Sequence, residues 1–315
     1  MAVPAPILLS WSTGKDCSWA LHVLQSDAAL SLQYRVVGLL TTFNEANSRV
    51  AMHGTHAAVA AAQSRALGIP LWRVDLPSPC PNDAYAQRMR LLFSEARARG
   101  IAAIAYGDLW LADVRAYREA THAGTGIAPL FPLWLGSEGG EGACAARSAA
   151  LAARMLAAGL RARLVTVDTR QLPAALCGRE FDAGLLAALA AAGADACGER
   201  GEFHSVAYAG PAVGGAPLAL RTPAGAEALV ERGQFVYSDF EVAPGSSEGA
   251  AAGEHCEGAP GGLLLDAAAF AARRDEALGS DWERAAALAE ALCPSAPPAA
   301  APAAAPAAAA APSPS

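Results

Sequence analysis

The segment Ser12–Ser18 combines a lysine, a glycine, hydroxyl groups and a thiol directly after the apolar run Ile7–Leu9. Lys15 is the only lysine among the 23 Lys and Arg residues of the chain. Lysine carries a compact charge on a flexible stem, whereas the guanidinium of arginine is a wide planar fork. A strand, a tight turn with glycine and a helix N-terminus together create an anion site from backbone N–H groups. The segment therefore predicts a loop that binds phosphate groups.

This loop is not of the Walker A type, in which Gly-Lys follows an earlier glycine and precedes Ser or Thr. Leu9 stands where that first glycine would be, and Asp16 follows Lys15. Another class of phosphate-binding loop is therefore expected.

Composition excludes several classes of protein. A net charge of -7 argues against a general nucleic-acid binder, which would carry a basic face. Seven cysteines without a CxxC pair favour reduced thiols over a disulfide framework or a structural zinc site. We find neither a secretory leader nor an apolar stretch of membrane length, and we expect a cytoplasmic protein.

The first part of the chain alternates short apolar runs with helical patterns. Strands are predicted at 7–11, 36–43, 71–75 and 101–106, each followed by a helix, at 16–25, 54–67, 82–99 and 109–122. This order is typical of an open, doubly wound α/β domain with a parallel sheet. We place that Rossmann-like domain at residues 1–130.

A smaller mixed α/β domain is expected at 131–242. It begins with a Gly/Glu loop at 136–142, followed by helices at 145–160 and 182–192, a strand at 163–168, and further short strands near 205–208, 218–220 and 235–241. Residues 243–293 are expected to form a flexible linker and a helix at 280–292. The Ala/Pro/Ser segment 294–315 is expected to be a disordered tail.

Four segments, in order, resemble one enzyme family. Ser12-Thr13-Gly14-Lys15-Asp16-Cys17 resembles the S-G-G-K-D-S loop of N-type ATP pyrophosphatases, in the adenine-nucleotide α-hydrolase-like (HUP) superfamily. The other three resemble motifs of the diphthine–ammonia ligase family: Gly107-Asp108-Leu109 with Tyr117-Arg118-Glu119, Phe131-Pro132-Leu133-Trp134, and Cys197-Gly198-Glu199-Arg200-Gly201-Glu202-Phe203-His204-Ser205. The resemblance spans about residues 6–240.

The resemblance implies an ATP-dependent carbon–nitrogen ligase. Such an enzyme adenylates a carboxylate, releases pyrophosphate and lets ammonia or another amine displace AMP. The family's acceptor is diphthine, a modified histidine on a translation factor, and a bacterial source would require another acceptor. A homodimer is also allowed, and no membrane or direct nucleic-acid partner is expected.

Three departures from the family pattern concern acceptor specificity and the loop itself. Thr13 stands where the family usually has Gly, Cys17 replaces the last Ser of the loop, and Arg200 replaces the usual Asn.

The resemblance and the strand ends suggest roles for the ligand-binding residues. The backbone of Ser12–Ser18 and the ammonium of Lys15 are expected to bind the β and γ phosphates and to stabilise the leaving pyrophosphate. Asp16 and Asp108 are candidates for Mg²⁺, with helix capping as the alternative for each. The remaining candidates for the nucleotide or acceptor are Thr41 and Thr42 at the end of the second strand, Gly107 beside the nucleotide, and Arg118 toward a phosphate or carboxylate.

Catalytic groups are expected after Cys197. Glu199, Glu202 and His204 cluster around two glycines, and Glu202 or His204 is expected to act as the base for ammonia. For Cys17, at a helix N-terminus, we expect a lowered thiol pKa.

Two other functions remain open. One is a nucleotide-binding sensor without turnover, and the other is a different ATP pyrophosphatase, such as a tRNA-modifying enzyme. The second-domain signature argues against a sensor, and the acidic charge and the missing CxxC argue against tRNA modification.

Overall fold

The computed structural model describes residues 3–212, 217–223, 230–243 and 262–273. The strands are β1 (Ala5–Ser10), β2 (Tyr34–Asn44), β3 (Arg49–Val50), β4 (Leu71–Leu76), β5 (Ala103–Ala105), β6 (Ala128–Leu130), β7 (Arg161–Asp168), β8 (Phe203–Ala209), β9 (Leu220–Arg221), β10 (Val230–Arg232), β11 (Phe235–Tyr237), β12 (Glu241–Val242) and β13 (Leu263–Leu265). The helices are α1 (Lys15–Ser26), α2 (Ala28–Gln33), α3 (Ala57–Leu67), α4 (Asn82–Ala98), α5 (Ala112–His122), α6 (Gly140–Ala157), α7 (Ala183–Ala191) and α8 (Ala267–Ala272), with a 3-10 turn at Ala174–Leu176.

The main sheet has the strand order β13-β4-β2-β1-β5-β6, and every neighbouring pair in it is parallel. Short β3 pairs antiparallel with the end of β2. From central β1 the chain builds β2 and β4 on one side and later β5 and β6 on the other. The four predicted strands correspond to β1, β2, β4 and β5, so the predicted α/β parallel sheet is confirmed.

Strand β1 lies at the centre of the sheet because it is apolar on both faces. Ile7, Leu8 and Leu9 are fully buried, as parallel strands covered on both sides require. The chain continues from β1 to β2 on one side and returns to β5 on the other, so the carboxyl ends of β1 and β5 form a topological switch point, where sheets of this kind bind ligands in a crevice. We call the region beyond these two strand ends the crevice.

A second, antiparallel sheet follows, in the order β10-β11-β7-β8. It shares one continuous core with the main sheet, since Leu9 of β1 and Leu164 of β7 belong to the same buried cluster. The two sheets therefore fix each other's position.

Several elements differ from the predictions, among them α2 and β6, which were not predicted, and two elements in segments that were expected to be irregular. Helix α6 begins at Gly140, inside the segment that we expected to be a Gly/Glu loop. Strand β13 adds an edge strand to the main sheet from within the segment that we expected to be linker and helical extension. A run of three leucines is too short to stand out as a strand in a Gly-rich context. The predicted helix at 280–292 and the tail at 294–315 lie outside the described residues, as does nearly all of the linker.

None of the helices in the described ranges combines the length and apolar character needed to cross a membrane.

Candidate functional site

The loop after β1 and the loop after β5 meet at the crevice. A Cβ atom on Gly107 would lie 3.3 Å from the backbone atoms of both Asp16 and Cys17. Glycine at this position therefore lets the β5 loop pack on the first turn of α1. We expected Gly107 to make room for a nucleotide, and it makes room for protein backbone.

The side chain of Lys15 is buried inside this junction, with 1% of the residue exposed. Its Nζ donates to Asp16 Oδ2 at 2.9 Å and to the carbonyl oxygen of Cys197 in a very short contact. The ammonium also lies 5.0 Å from the ring centroid of Phe203 and 5.6 Å from that of Phe181. In this conformation Lys15 joins α1 to the segment before β8.

The charge on Lys15 is stable in this environment. Burial has the largest single effect and lowers the pKa of the ammonium, but the charge and hydrogen bond of Asp16 together with the charges of Cys197 and Asp195 outweigh burial, and the pKa is raised. Lys15 therefore remains a cation, and in this structure its charge is paired with Asp16.

Thr13 adopts a left-handed backbone conformation with φ of 69°. This region is unfavourable for a β-branched residue and explains why glycine is common at such positions. The residue is fully buried, and its hydroxyl donates to Thr55 Oγ1 at 3.1 Å. A tertiary contact therefore helps to hold this strained loop in place.

Two residues that the sequence analysis did not single out for a role hold the loop from outside. Gln63 of α3 is buried; its amide donates to the carbonyl oxygens of Thr13 (3.0 Å) and Ala207 (2.6 Å) and accepts from Trp11 Nε1 (2.8 Å). Ser205 of β8 accepts from the Lys15 backbone N–H through its hydroxyl at 3.2 Å. In the sequence, this role of Gln63 was indicated only by its position as a single glutamine among the alanines of the buried face of α3.

Two polar atoms of the loop are buried without a hydrogen-bond partner in the described part of the chain, Asp16 Oδ1 and Ser18 Oγ. Asp16 does not cap α1, whose N-cap Gly14 has no side-chain bond, so the capping alternative for Asp16 is wrong. Because buried polar atoms without partners are costly, this pair is suited to a ligand such as a cation beside a phosphate.

The expected low pKa of Cys17 is wrong. Burial raises the pKa of this thiol to about 11, and Sγ donates to the Gly14 carbonyl oxygen at 3.1 Å. Loss of hydration outweighs the helix terminus here.

Asp108 and Arg118 form an ion pair at the end of β5, with 3.3 Å between Arg118 Nε and Asp108 Oδ2. The guanidinium also lies 4.5 Å from the ring centroid of Tyr106. Helix α5 begins after Leu111 without a side-chain cap, so the capping alternative for Asp108 is wrong as well. Asp108 and Arg118, both predicted site residues, therefore lie at the crevice and form an ion pair with each other.

Glu199 connects the two sheets at the same place. Its Oε1 accepts from the backbone N–H groups of Leu109 at 2.7 Å and Trp110 at 3.2 Å. Burial raises the pKa of this carboxyl to about 8, with a further contribution from the charges of Asp16 and Asp108. Glu199 can therefore exchange a proton near neutral pH, as a general acid or base must.

Glu202 and His204 point elsewhere. The carboxylate of Glu202 is fully buried and accepts from the N–H of Asp195 (2.9 Å) and from the backbone and side chain of Arg200 (3.0 and 2.9 Å). The ring of His204 lies against that of His53 with centroids 4.2 Å apart, and burial lowers its pKa to about 4. Glu202 therefore orders the turn that contains Arg200. Of Glu199, Glu202 and His204, only Glu199 reaches the β5 loop.

Thr41 and Thr42 lie within β2, near its carboxyl end at Asn44. The buried Thr41 hydroxyl donates to the Trp11 carbonyl oxygen at 2.7 Å. The Thr42 carbonyl accepts from Ala51 N–H at 2.9 Å. Through these contacts both residues hold β2 to the neighbouring segments at Trp11 and Ala51.

Among the described residues, no group of three or more His, Cys, Asp or Glu side chains forms a ready metal cage. In comparisons with known proteins, no family model and no curated sequence matches the chain.

Proposed function

We propose that the chain is an ATP-dependent amide-forming ligase of the ATP pyrophosphatase type, as its motifs suggest. One observation carries this proposal. Three segments distant in sequence, the loop at 12–18, Gly107-Asp108 and Glu199, meet beyond the carboxyl ends of β1 and β5. Ligands of doubly wound sheets bind at this kind of switch point.

The phosphates of ATP would lie against the start of α1, whose N-cap Gly14 supplies no side chain and where the helix dipole favours negative charge. Lys15 would stabilise the charge that develops on the leaving pyrophosphate. Since its ammonium is held by Cys197 and Asp16, productive binding requires the 195–199 segment to move away from it.

The orphaned Asp16 Oδ1 fits a Mg²⁺ ion, which prefers one or two carboxylates together with substrate phosphates. When bound, the ion would neutralise charge on those phosphates. Asp108 is the second candidate ligand, and in the structure it is engaged by Arg118.

Glu199 is the best placed base for the amine. A carboxyl with a pKa of about 8 is partly ionised near neutral pH and can take a proton from ammonium or from an amine as it attacks. We therefore assign to Glu199 the role first expected of Glu202 or His204.

A nucleotide sensor without turnover is the second candidate, favoured by the burial of Lys15 and by the internal bonds of Glu202. Isotope exchange separates the two functions. A ligase incorporates labelled pyrophosphate into ATP in the presence of a carboxylate that it can adenylate. Tight ATP binding with no exchange across a panel of carboxylic acids, and no AMP, would favour the sensor.

A further inference from the structure

A cleft of about 310 Å³ lies beside the candidate site, between the starts of α5 and α6. Trp110, Leu111 and Cys144 contribute apolar surface to it. The backbone of Trp110 also binds Glu199, so the cleft adjoins the group that we assign as base. Its position and lining suit a small molecule with an apolar body.

Arg200 supplies positive charge to this cleft. Its Nε donates to buried Glu202 at 2.9 Å and its Nη2 to the Gly193 carbonyl at 3.1 Å, which fixes the inner edge of the guanidinium. Its Nη1 donates to Glu141 in a very short contact. The inner contacts orient Nη1 for a carboxylate.

The carboxylate now bound to Nη1 is weakly held by the rest of the protein. The side chain of Glu141 is 65% exposed, and exposed ion pairs contribute little to stability. A ligand carboxylate can therefore replace it at small cost.

Two helices begin at this cleft without a side-chain cap, α5 after Leu111 and α6 after Gly139. Their N-terminal dipoles favour an anion there. In addition, Trp110 is 8% exposed and its Nε1 has no partner among the described residues.

We propose that this cleft binds a free small carboxylic acid with an apolar body, whose carboxylate takes the place of Glu141 on Arg200. Resting on the proposed function, we infer that this acid is the acceptor that is adenylated. The motif that this segment resembles usually has Asn at the position of Arg200, so the carboxylate contact belongs to this chain.

Calorimetric titration with phenylacetate and with its uncharged analogue phenylacetamide tests the site without ATP. We expect phenylacetate to bind about tenfold more tightly than the amide, as a charge-assisted bond to arginine predicts. Glu141→Gln should tighten phenylacetate binding by about threefold or more because the competing charge is gone. Arg200→Gln should abolish the preference for the acid.

Equal binding of acid and amide, no binding of either, or an unchanged affinity in Glu141→Gln would overturn the proposal. Glu141 is exposed, so this variant is informative even if Arg200→Gln loses stability through Glu202. Absence of binding by free acids together with adenylation of a protein-borne carboxylate would likewise overturn it. Acid binding without any AMP formation would contradict the ligase and the acceptor role of the acid, while the carboxylate site itself would stand.

Discussion

At the scale of single residues, the contacts of Lys15 show why lysine rather than arginine stands at this position. Its ammonium fits between two phenylalanine rings while contacting Asp16 and the Cys197 carbonyl. Both the small head and the flexible stem are needed in this buried space.

We predict that Lys15→Arg lowers the free energy of unfolding by about 1–3 kcal/mol, because the larger planar group overpacks the junction. It should also abolish AMP formation. Thermal melting and a turnover assay check this, with the reverse exchange Arg35→Lys at an exposed position as control. A Lys15→Arg variant with the melting temperature and the turnover rate of the wild type would contradict the role assigned to this lysine.

Thr13 offers a second test. At its φ of 69°, a glycine variant is expected to be more stable than an alanine variant, which reverses the order found inside helices. Both Thr13→Gly and Thr13→Ala lose the bond to Thr55, but only glycine relieves the left-handed strain. We expect the Gly variant to be more stable than the Ala variant by about 1 kcal/mol. Ala20→Gly inside α1 should have the opposite sign, destabilising by about 1 kcal/mol. Chemical denaturation measures both, and a Gly variant less stable than Ala would contradict the strained loop.

Glu199 predicts a pH dependence of stability. Its folded pKa of about 8 lies above the unfolded value, so the folded state binds the proton more tightly. The stability contributed by the protonated form is complete below the unfolded pKa of 4.5 and is lost as the pH rises from there to the folded pKa of about 8, above which it changes no further.

Glu199→Gln should therefore raise the free energy of unfolding at pH 9 by about 1–2 kcal/mol relative to wild type, and much less at pH 5. Glu119→Gln on α5, whose side chain is 49% exposed, is the matched control substitution. Parallel stability profiles of wild type and Glu199→Gln would show that the carboxyl is not perturbed.

At the scale of elements, the candidate site depends on α3 and β8 as much as on β1. Gln63 contributes three hydrogen bonds that join Trp11, Thr13 and Ala207. A single side chain thus ties the loop to the second sheet.

Gln63→Leu keeps the volume but removes these bonds, and we expect it to destabilise the protein by about 2–4 kcal/mol since buried partners are left unpaired. Gln33→Leu, at the exposed end of α2, should change stability by less than about 0.5 kcal/mol. Denaturant unfolding compares the two, and equal effects would contradict the bracing role of Gln63.

The strands of the main sheet were predictable because their apolar runs are continuous, as in β1, or bounded by turn residues. Edge strand β13 was not, since its three residues gain their order from pairing with β4. Short antiparallel strands such as β3 depend on similar tertiary contacts.

The sequence indicated which residues come together in the candidate site better than it indicated the contacts that each of them makes. Lys15 and Asp108 lie near each other because they follow parallel strands that end at one edge of the sheet, and the segment before β8 brings Glu199 to the same place. It could not reveal that Lys15 turns inward, that Glu202 satisfies its own turn or that burial raises the pKa of Cys17. These depend on which groups the second sheet buries, and local sequence does not encode that.

At the scale of the whole molecule, the second sheet closes over the crevice of the first. Through Cys197, Glu199 and Ser205 it contributes groups to a loop that belongs to the main sheet. Binding of a nucleotide would therefore be coupled to the contact between the two sheets, which suits a reaction that must exclude water from an activated carboxylate.

The most direct test of an adenylating site is the identity of its products. The protein is incubated with Mg²⁺, a carboxylic acid acceptor, ammonium and ATP labelled at the α and γ phosphates. We expect labelled AMP and labelled pyrophosphate, in amounts that fall sharply in Lys15→Arg. Formation of ADP and inorganic phosphate would contradict the account.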